Sequence, residues 1–393
     1  MRPGLKMILF ILFFNITNIQ GQNNDFLLKW DSLMAWHKMK LKKVDIVGNG
    51  IVFIKDGEII AESMNGFQDK ETQEPININT IYNWASCTKM FTAIAIMQLR
   101  DQDKLDLNDP VSKYLPQVKN IPNQLSKEFT IMNVLTHSSG LPRNSKTTKL
   151  IDGNFYETQS RQEYFQQFNE VELQFEPDKE YGYSNYGYDI LGLVIEQASG
   201  LPYKDYVVNN ILRPLEMKKS YFDALPDGLK KYRSNNYRGH KGKLYSKAKD
   251  FDDTSNAGLD FPSGGLNAPF TDMILFTNFL CRKDSVTDSV LKYSSLTEMF
   301  FVQKLIHDKE KDGEGHEHFV GLGFNVINPA TYRLIGHEGE SFGFMTSIWV
   351  NPDTKTGYLF GWNTTYRLPN KKDDRLFADF NRAVYGKLLP LIK

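Results

Sequence analysis

The stretch Trp84-Ala-Ser86-Cys-Thr-Lys89-Met-Phe-Thr-Ala-Ile-Ala-Ile-Met-Gln-Leu99 decides how the rest of this chain is read. From Met90 to Leu99 only Thr92 and Gln98 are polar, so apolar residues cover every face of the predicted helix and place it in the interior. Lysine is rarely buried without partners, because an unpaired ammonium away from water is costly. Lys89 at the head of such a helix therefore calls for a task. Ser86 stands three residues earlier, one turn away on the same helix face. A desolvated lysine holds its proton weakly, and its neutral amine takes the proton of a serine hydroxyl. Backbone N–H groups at a first turn stabilise negative charge developing beside that serine. An N-capping serine followed by a lysine that snorkels to solvent explains the same pair with no chemistry at all. Ser-x-x-Lys alone does not choose between them.

Outward from this helix, the pattern changes from helical to extended at both ends of the chain. Upstream, Gly50–Ile54 and Glu58–Ala61 flank Lys55-Asp56-Gly57, and Asp-Gly supplies the geometry of a tight hairpin turn. Downstream, Gly321–Ile327, Tyr332–Gly336, Gly343–Val350 and Thr356–Trp362 are short apolar or β-branched runs between turn residues. The region of about 86–280 reads as mostly helical, broken by loops such as Ser138-Ser-Gly-Leu-Pro142. Helices are predicted near both termini. One spans Asp25 to Lys42, with Leu28, Leu33, Trp36 and Met39 at helical spacing, and the other runs from about Lys372 to Leu389. Strands at both ends around a helical middle predict an α+β fold, an antiparallel sheet flanked by helices and completed by both termini.

Composition narrows the function. Lys plus Arg and Asp plus Glu number 47 each, so there is no basic field for nucleic acid and no acidic tail. Arg2 and Lys6 precede the apolar run Met7–Phe14 and a more polar stretch ending at Gly21. This is the layout of a signal peptide over residues 1–21, shorter than a membrane span of about 20 apolar residues. An exported protein, periplasmic or secreted, with residues 22–393 as one domain and no stable membrane span, is the expectation. Only Cys87 and Cys281 occur, too few for a disulfide framework. A packed free thiol suits Cys87, and a single bridge to Cys281 is the alternative.

Two later segments bear on Ser86. The first is Phe175-Glu-Pro-Asp-Lys-Glu-Tyr-Gly-Tyr183-Ser-Asn185-Tyr-Gly187, and the second is Gly336-His337-Glu-Gly339-Glu340-Ser-Phe-Gly343. Ser86-x-x-Lys89, Tyr183-x-Asn185 and His337-x-Gly339 follow the order and rough spacing of the three signature motifs of the serine β-lactamase and penicillin-binding-protein superfamily, and the chain resembles its class C β-lactamase-like members. Phe129–Pro142 and Ser263–Asp272 are similar to stretches common there, and the resemblance covers about residues 44–385. It implies a serine hydrolase acting through an acyl-enzyme on Ser86, with Lys89 and Tyr183 sharing the role of general base. Which of the two holds the proton stays open, since their titrations are coupled. It also implies that Asn185 holds Lys89 and the substrate carbonyl, and that the backbone N–H groups of Ser86 and Glu340 form the oxyanion hole. Gly339 is read as letting the substrate backbone approach its strand. No cofactor and no metal are implied. The expected partner is a small peptide, amide or ester substrate, of D,D-carboxypeptidase, D-aminopeptidase or esterase type.

Two departures stand out. Many class C enzymes carry Lys-Thr-Gly where this chain has His337-Glu338-Gly339, and a mostly neutral histidine between acidic neighbours anchors a carboxylate poorly. At most weak β-lactamase activity is expected. The other departure is Glu216, in a turn where relatives often have glycine. His137 is read as bracing its loop. His307, His316 and His318 lie in a charged, Gly-bearing stretch read as a solvated hairpin tip, with a zinc site as the rival. Trp362 and Tyr366 are candidates for the cleft wall or for core packing. The loops around 144–165 and 232–260 carry specificity in an unreadable form. A non-catalytic protein that binds cell-wall peptide or a partner is the alternative function.

Overall fold

The computed structural model describes residues 25–42, 46–122, 128–144, 150–151, 154–155, 161–222, 225–240, 243–246, 261–282, 285–306, 317–327, 332–341, 343–367 and 376–392. Residues 1–21, His307 and His316 lie outside them. The chain forms two compact units, one of residues 46–367 and one of the two terminal segments.

The larger unit is built on a nine-stranded sheet. From one edge its strands run Lys304–Leu305, His318–Val320, Asn325–Ile327, Leu334–Ser341, Phe344–Asn351, Thr356–Trp362, Gly48–Lys55, Glu58–Asp69 and Glu74–Pro75. Every neighbouring pair is antiparallel. Gly48–Lys55 thus sits beside Thr356–Trp362, with Gly50 opposite Gly361, which gives the predicted closure of the sheet by segments far apart in sequence. Asp56 and Gly57 both take positive φ, 50° and 89°, the geometry that a two-residue hairpin turn requires. Gly50 has a packing reason as well: a Cβ there would come within 2.7 Å of the Phe270 ring. Phe270 opens the helix Phe270–Cys281, which lies against Phe344–Asn351 and Thr356–Trp362.

The serine-bearing segment is not one continuous α-helix. Ala85–Cys87 is a 3-10 turn, and the α-helix runs Thr88–Asp101. All residues from Thr88 to Leu99 are buried, as their unbroken apolar character predicts. Phe91 stacks on Phe276 with ring centroids 4.0 Å apart, which joins this helix to Phe270–Cys281. On another side it meets the helix Asn185–Ser199. The middle of the chain is less uniformly helical than its pattern suggests, since it also holds the strand pairs Leu150–Ile151 with Asn154–Phe155 and Tyr237–His240 with Lys243–Ser246.

In the terminal unit, residues 25–42 are helical and Leu376–Ala383 forms a second helix, continued by a wider π turn over Val384–Leu388 and a tighter 3-10 turn over Leu389–Leu391. The buried stripe of the first helix is Phe26, Trp30, His37 and Leu41, whereas Leu28 and Met39 are 69% and 50% exposed. The helix carries apolar residues on two sides, and the stripe with the aromatic pair Phe26 and Trp30 is the one that packs. His37 stacks on Phe380 at 3.9 Å, and burial lowers its pKa to about 3.

Candidate active site

Three separate parts of the chain meet at Ser86. The first is the serine turn itself. Ala85, immediately before Ser86, has φ of 46°, a left-handed conformation that L-residues with a side chain hold only when neighbours enforce it. The neighbours are present. The Trp84 N–H donates to the Leu266 carbonyl at 2.8 Å, and its indole N–H donates to the Ala268 carbonyl at 2.9 Å. Thr346 donates its hydroxyl to the Trp84 carbonyl at 3.0 Å, and the Ala85 N–H donates to the Asn83 side chain at 3.0 Å. Thr88 closes the turn with a 2.6 Å bond to the Ala85 carbonyl. From Thr80 to Leu99 every residue is buried except Ser86. The clamp therefore presents one hydroxyl to solvent.

Lys89 is wholly buried. Its Nζ donates to Ser86 Oγ at 3.2 Å, to Asn185 Oδ1 at 2.8 Å and to the Ser263 carbonyl at 2.6 Å. An ammonium has three N–H bonds, and all three find acceptors. Burial is the main cause that lowers its pKa to about 7, with Asp189 opposing and Arg143 reinforcing that fall. Asp189 is itself buried, four residues after Asn185 on the same helix. Neither Ser263 nor Asp189 is singled out by its residue type. The Ser263-Gly-Gly-Leu266 stretch is explained by its carbonyls, which hold Lys89 and Trp84.

Tyr183 and Asn185 arrive on the second part. Ser184 caps the helix Asn185–Ser199, its hydroxyl accepting the Gly187 N–H at 2.9 Å. This leaves Tyr183 just before the cap and Asn185 in the first turn. Asn185 donates its amide to Asn144 Oδ1 at 2.8 Å while its oxygen accepts from Lys89. The Tyr183 ring centroid is 5.0 Å from Lys89 Nζ and 4.9 Å from the Arg143 guanidinium carbon. Burial pushes the phenol above its ordinary pKa; its hydrogen bond with Ser86 and the charge of Arg143 pull in the other direction. His137 braces this loop, as read from sequence, and does so through the site: its Nδ1 accepts the Ser184 N–H at 3.1 Å and its ring lies 4.4 Å from that of Tyr183. Burial drives His137 well below its ordinary pKa, so the ring is neutral.

The third part is the strand Leu334–Ser341. His337 is buried, 6.2 Å from the Tyr183 ring between centroids, and its Nδ1–H donates to the Glu338 carbonyl at 2.5 Å. Burial and the nearby Lys89 lower its pKa to about 3. The neutrality expected of an ordinary histidine at pH 7 is thus enforced. Gly339 makes its close approach inside the protein: a Cβ there would fall 2.4 Å from the Trp84 carbonyl and 3.0 Å from Ala85. The glycine is accounted for by strand-to-turn packing before any substrate arrives. Glu340, next in the strand, is exposed.

The residues brought together are those of three separate sequence motifs, and the whole-chain comparison agrees with them. The family model described as Beta-lactamase matches residues 35–381. This chain belongs to the beta-lactamase family. Its fold is that of beta-lactamases and penicillin-binding proteins. It is similar to the octameric penicillin-binding protein homologue from Pyrococcus abyssi, with a TM-score of 0.74 and 25% identity over 91% of this chain and 77% of that one. The penicillin binding protein from Bacillus halodurans shares the fold, with a TM-score of 0.68 and 21% identity over 88% and 98% of the two chains. Among curated proteins, Protein flp of Staphylococcus aureus (strain MW2) is 30% identical over 207 residues, 53% of this chain and 39% of that protein. The N-acetylmuramyl-L-alanine amidase of Bacillus subtilis (strain 168) is 31% identical over 212 residues, 49% of this chain and 48% of that protein. The matches thus span less than half the length of these two relatives.

Other expected features of this beta-lactamase-family protein fall as follows. Cys87 and Cys281 are both buried free thiols, so no bridge joins them. The Cys87 thiol donates to the His337 carbonyl at 3.3 Å, and burial raises its pKa to about 12. Glu216 has φ of 58°, which explains why a glycine suits that turn. Trp362 is buried, and Tyr366 lies in the strand Thr364–Arg367. His318 lies in a strand paired with Lys304–Leu305, so the segment between them joins antiparallel neighbours. Among the described residues no helix is long and apolar enough to cross a membrane, and no three His, Cys, Asp or Glu side chains are grouped to hold a metal ion.

Proposed function

We propose that this member of a serine hydrolase family is exported and cleaves peptides, amides or esters through an acyl-enzyme on Ser86. The observation that carries the reading is the wholly buried Lys89, held within 3.2 Å of Ser86 Oγ and with a pKa brought to about 7. At neutral pH a large fraction of this amine is unprotonated, which is what a base for a serine hydroxyl needs. The phenol of Tyr183 is shifted upward by burial, so it is protonated at rest. In this scheme Ser86 Oγ attacks the substrate carbonyl and its proton passes to Lys89 Nζ. The oxyanion is met by the backbone N–H groups of Ser86 and Glu340. The leaving amine or alcohol takes a proton from the Tyr183 hydroxyl, which Lys89 reprotonates. Water then attacks the acyl carbonyl and gives its proton to the same pair, which passes it to Ser86 Oγ as the acyl–oxygen bond breaks, so that the free hydroxyl and the neutral amine are restored. Asn185 keeps Lys89 in place and offers its amide to the substrate carbonyl in exchange for Asn144.

The neutral His337 and the flanking Glu338 and Glu340 argue against strong anchoring of a substrate carboxylate at the strand, and hence for at most weak turnover of penicillins. The likeness to an amidase by name favours an amide or peptide substrate. Intact mass after treatment with a fluorophosphonate tests the scheme. One adduct is expected on the wild type and none on Ser86→Ala. An unlabelled wild type under conditions that label a known serine hydrolase would leave a non-catalytic binding protein as the reading.

A further inference from the structure

Lys89 and His337 are both closed to an anionic ligand. Lys89 commits its three N–H bonds to Ser86, Asn185 and Ser263. His337 is neutral and turns its Nδ1–H back onto the Glu338 carbonyl. Arg143 is different. It is exposed, its guanidinium carbon lies 4.9 Å from the Tyr183 ring centroid, and no carboxylate pairs with it among the described residues. Its backbone fixes it at the cleft independently of its side chain, because its carbonyl accepts the Asn185 N–H at 2.8 Å and the Tyr186 N–H at 3.3 Å. A guanidinium stays charged at any working pH, and its planar fork matches a carboxylate. The charge across the cleft is therefore uneven. Cation stands open on the Tyr183 side, while the strand side bears the exposed Glu340 and the half-buried Glu338.

Building on the serine-hydrolase reading above, we propose that Arg143 is a specificity-determining residue that holds a carboxylate of the substrate on the Tyr183 side of the cleft. The strand side, where the family resemblance would place that anchor, is left to neutral or cationic groups. The substrate class is narrowed to amides, peptides or esters with an anionic group placed to reach Arg143. The cation–π contact with the Tyr183 ring restrains the guanidinium before the ligand arrives, which reduces the ordering cost of binding.

The test compares wild type, Arg143→Gln and Arg143→Lys on p-nitrophenyl hydrogen glutarate and on its neutral methyl ester. A second pair of aryl acetates carries the carboxylate, or its methyl ester, on the leaving group instead. Arg143→Gln is expected to lose about tenfold or more in kcat/KM on the anionic member of one pair, the size of a charge-assisted hydrogen bond. The neutral members should lose something, but less than that, since removing the charge also acts on Lys89 and Tyr183. The readout is the anionic-to-neutral ratio of kcat/KM, part of which Arg143→Lys should keep. Free glutarate should protect Ser86 from fluorophosphonate labelling in wild type and Arg143→Lys, and not in Arg143→Gln. Equal losses on neutral and anionic esters would overturn the proposal, because Arg143 would then act through Tyr183. Unchanged kinetics and unchanged protection would overturn it as well. Fluorophosphonate labelling of Ser86 in all three proteins separates these outcomes from failure of the hydrolase reading itself, which would show as no adduct on any of them.

Discussion

The helix side and the strand side of the cleft treat charge in opposite ways. On the helix side, Lys89 is wholly buried and kept by three acceptors, with the buried carboxylate of Asp189 among the influences on its proton. On the strand side, burial holds His337 neutral, and of the acids beside it Glu340 is exposed and Glu338 half-buried. The first arrangement desolvates an amine and lowers its pKa to about 7, and the second leaves a neutral ring where the sequence resemblance implies a cation. On the proposed mechanism a change at Lys89 should affect every substrate, whereas one at His337 should re-rank them.

The sharpest way to break this contrast is Lys89→Met. Activity is expected to fall on the order of 10³-fold on all substrates, measured as kcat/KM, with the fold retained. Thermal stability should fall, since the Asn185 and Ser263 oxygens lose their donor and the buried Asp189 carboxylate loses a nearby cation. The pH dependence follows with a defined sign. The folded-state pKa of Lys89, about 7, lies below its unfolded value of 10.5, so between these the unfolded chain binds more protons. Stability should therefore rise with pH across that window, and kcat/KM should rise with an apparent pKa near 7. Lys89→Met should flatten the stability profile, and a wild-type profile already flat there would break the account.

Gly339→Ala attacks the junction between the two sides. A Cβ 2.4 Å from the Trp84 carbonyl forces the strand away from the serine turn. A loss of about 1–3 kcal/mol in unfolding free energy is expected, together with lower kcat on all substrates alike. A loss in KM alone would instead assign the glycine to substrate contact. His337→Lys sharpens the comparison from the strand side. Acylation by a carboxylate-bearing β-lactam should rise about tenfold while neutral esters change little, as followed by stopped-flow labelling. Glu216→Gly lies outside both walls. It should raise stability by about 1 kcal/mol by relieving a left-handed residue, with kinetics unaltered.

The parts legible in the sequence are those governed by local patterns. Thr356–Trp362 is observed with the limits its apolar run predicts, the Asp56-Gly57 turn takes the expected geometry, and the apolar face-to-face character of Thr88–Leu99 gives its burial. Ser86, Lys89, Tyr183 and Asn185 meet as the two motifs that carry them imply. Backbone roles escape such reading. A carbonyl acceptor such as that of Ser263 has no residue type, the strained φ of Ala85 follows from neighbours more than 170 residues away in sequence, as the Trp84 bond partners show, and a helix apolar on two sides does not declare which side packs. His137 was readable as a brace, while its ring contact with Tyr183 required the tertiary arrangement.

The pairing of Gly48–Lys55 with Thr356–Trp362 has a consequence for synthesis. The Gly48 N–H donates to the Asn363 side chain across 315 positions, and the serine turn is clamped by Thr346. During translation Ser86 emerges long before either of those partners, so the left-handed Ala85 beside it at first has only the local Asn83 and Thr88 contacts to hold it. Such distant contacts also make a slow ordering step. If Ser86 is the nucleophile proposed above, a nascent chain stalled before Thr346 should carry it and yet be inert towards a serine-directed label.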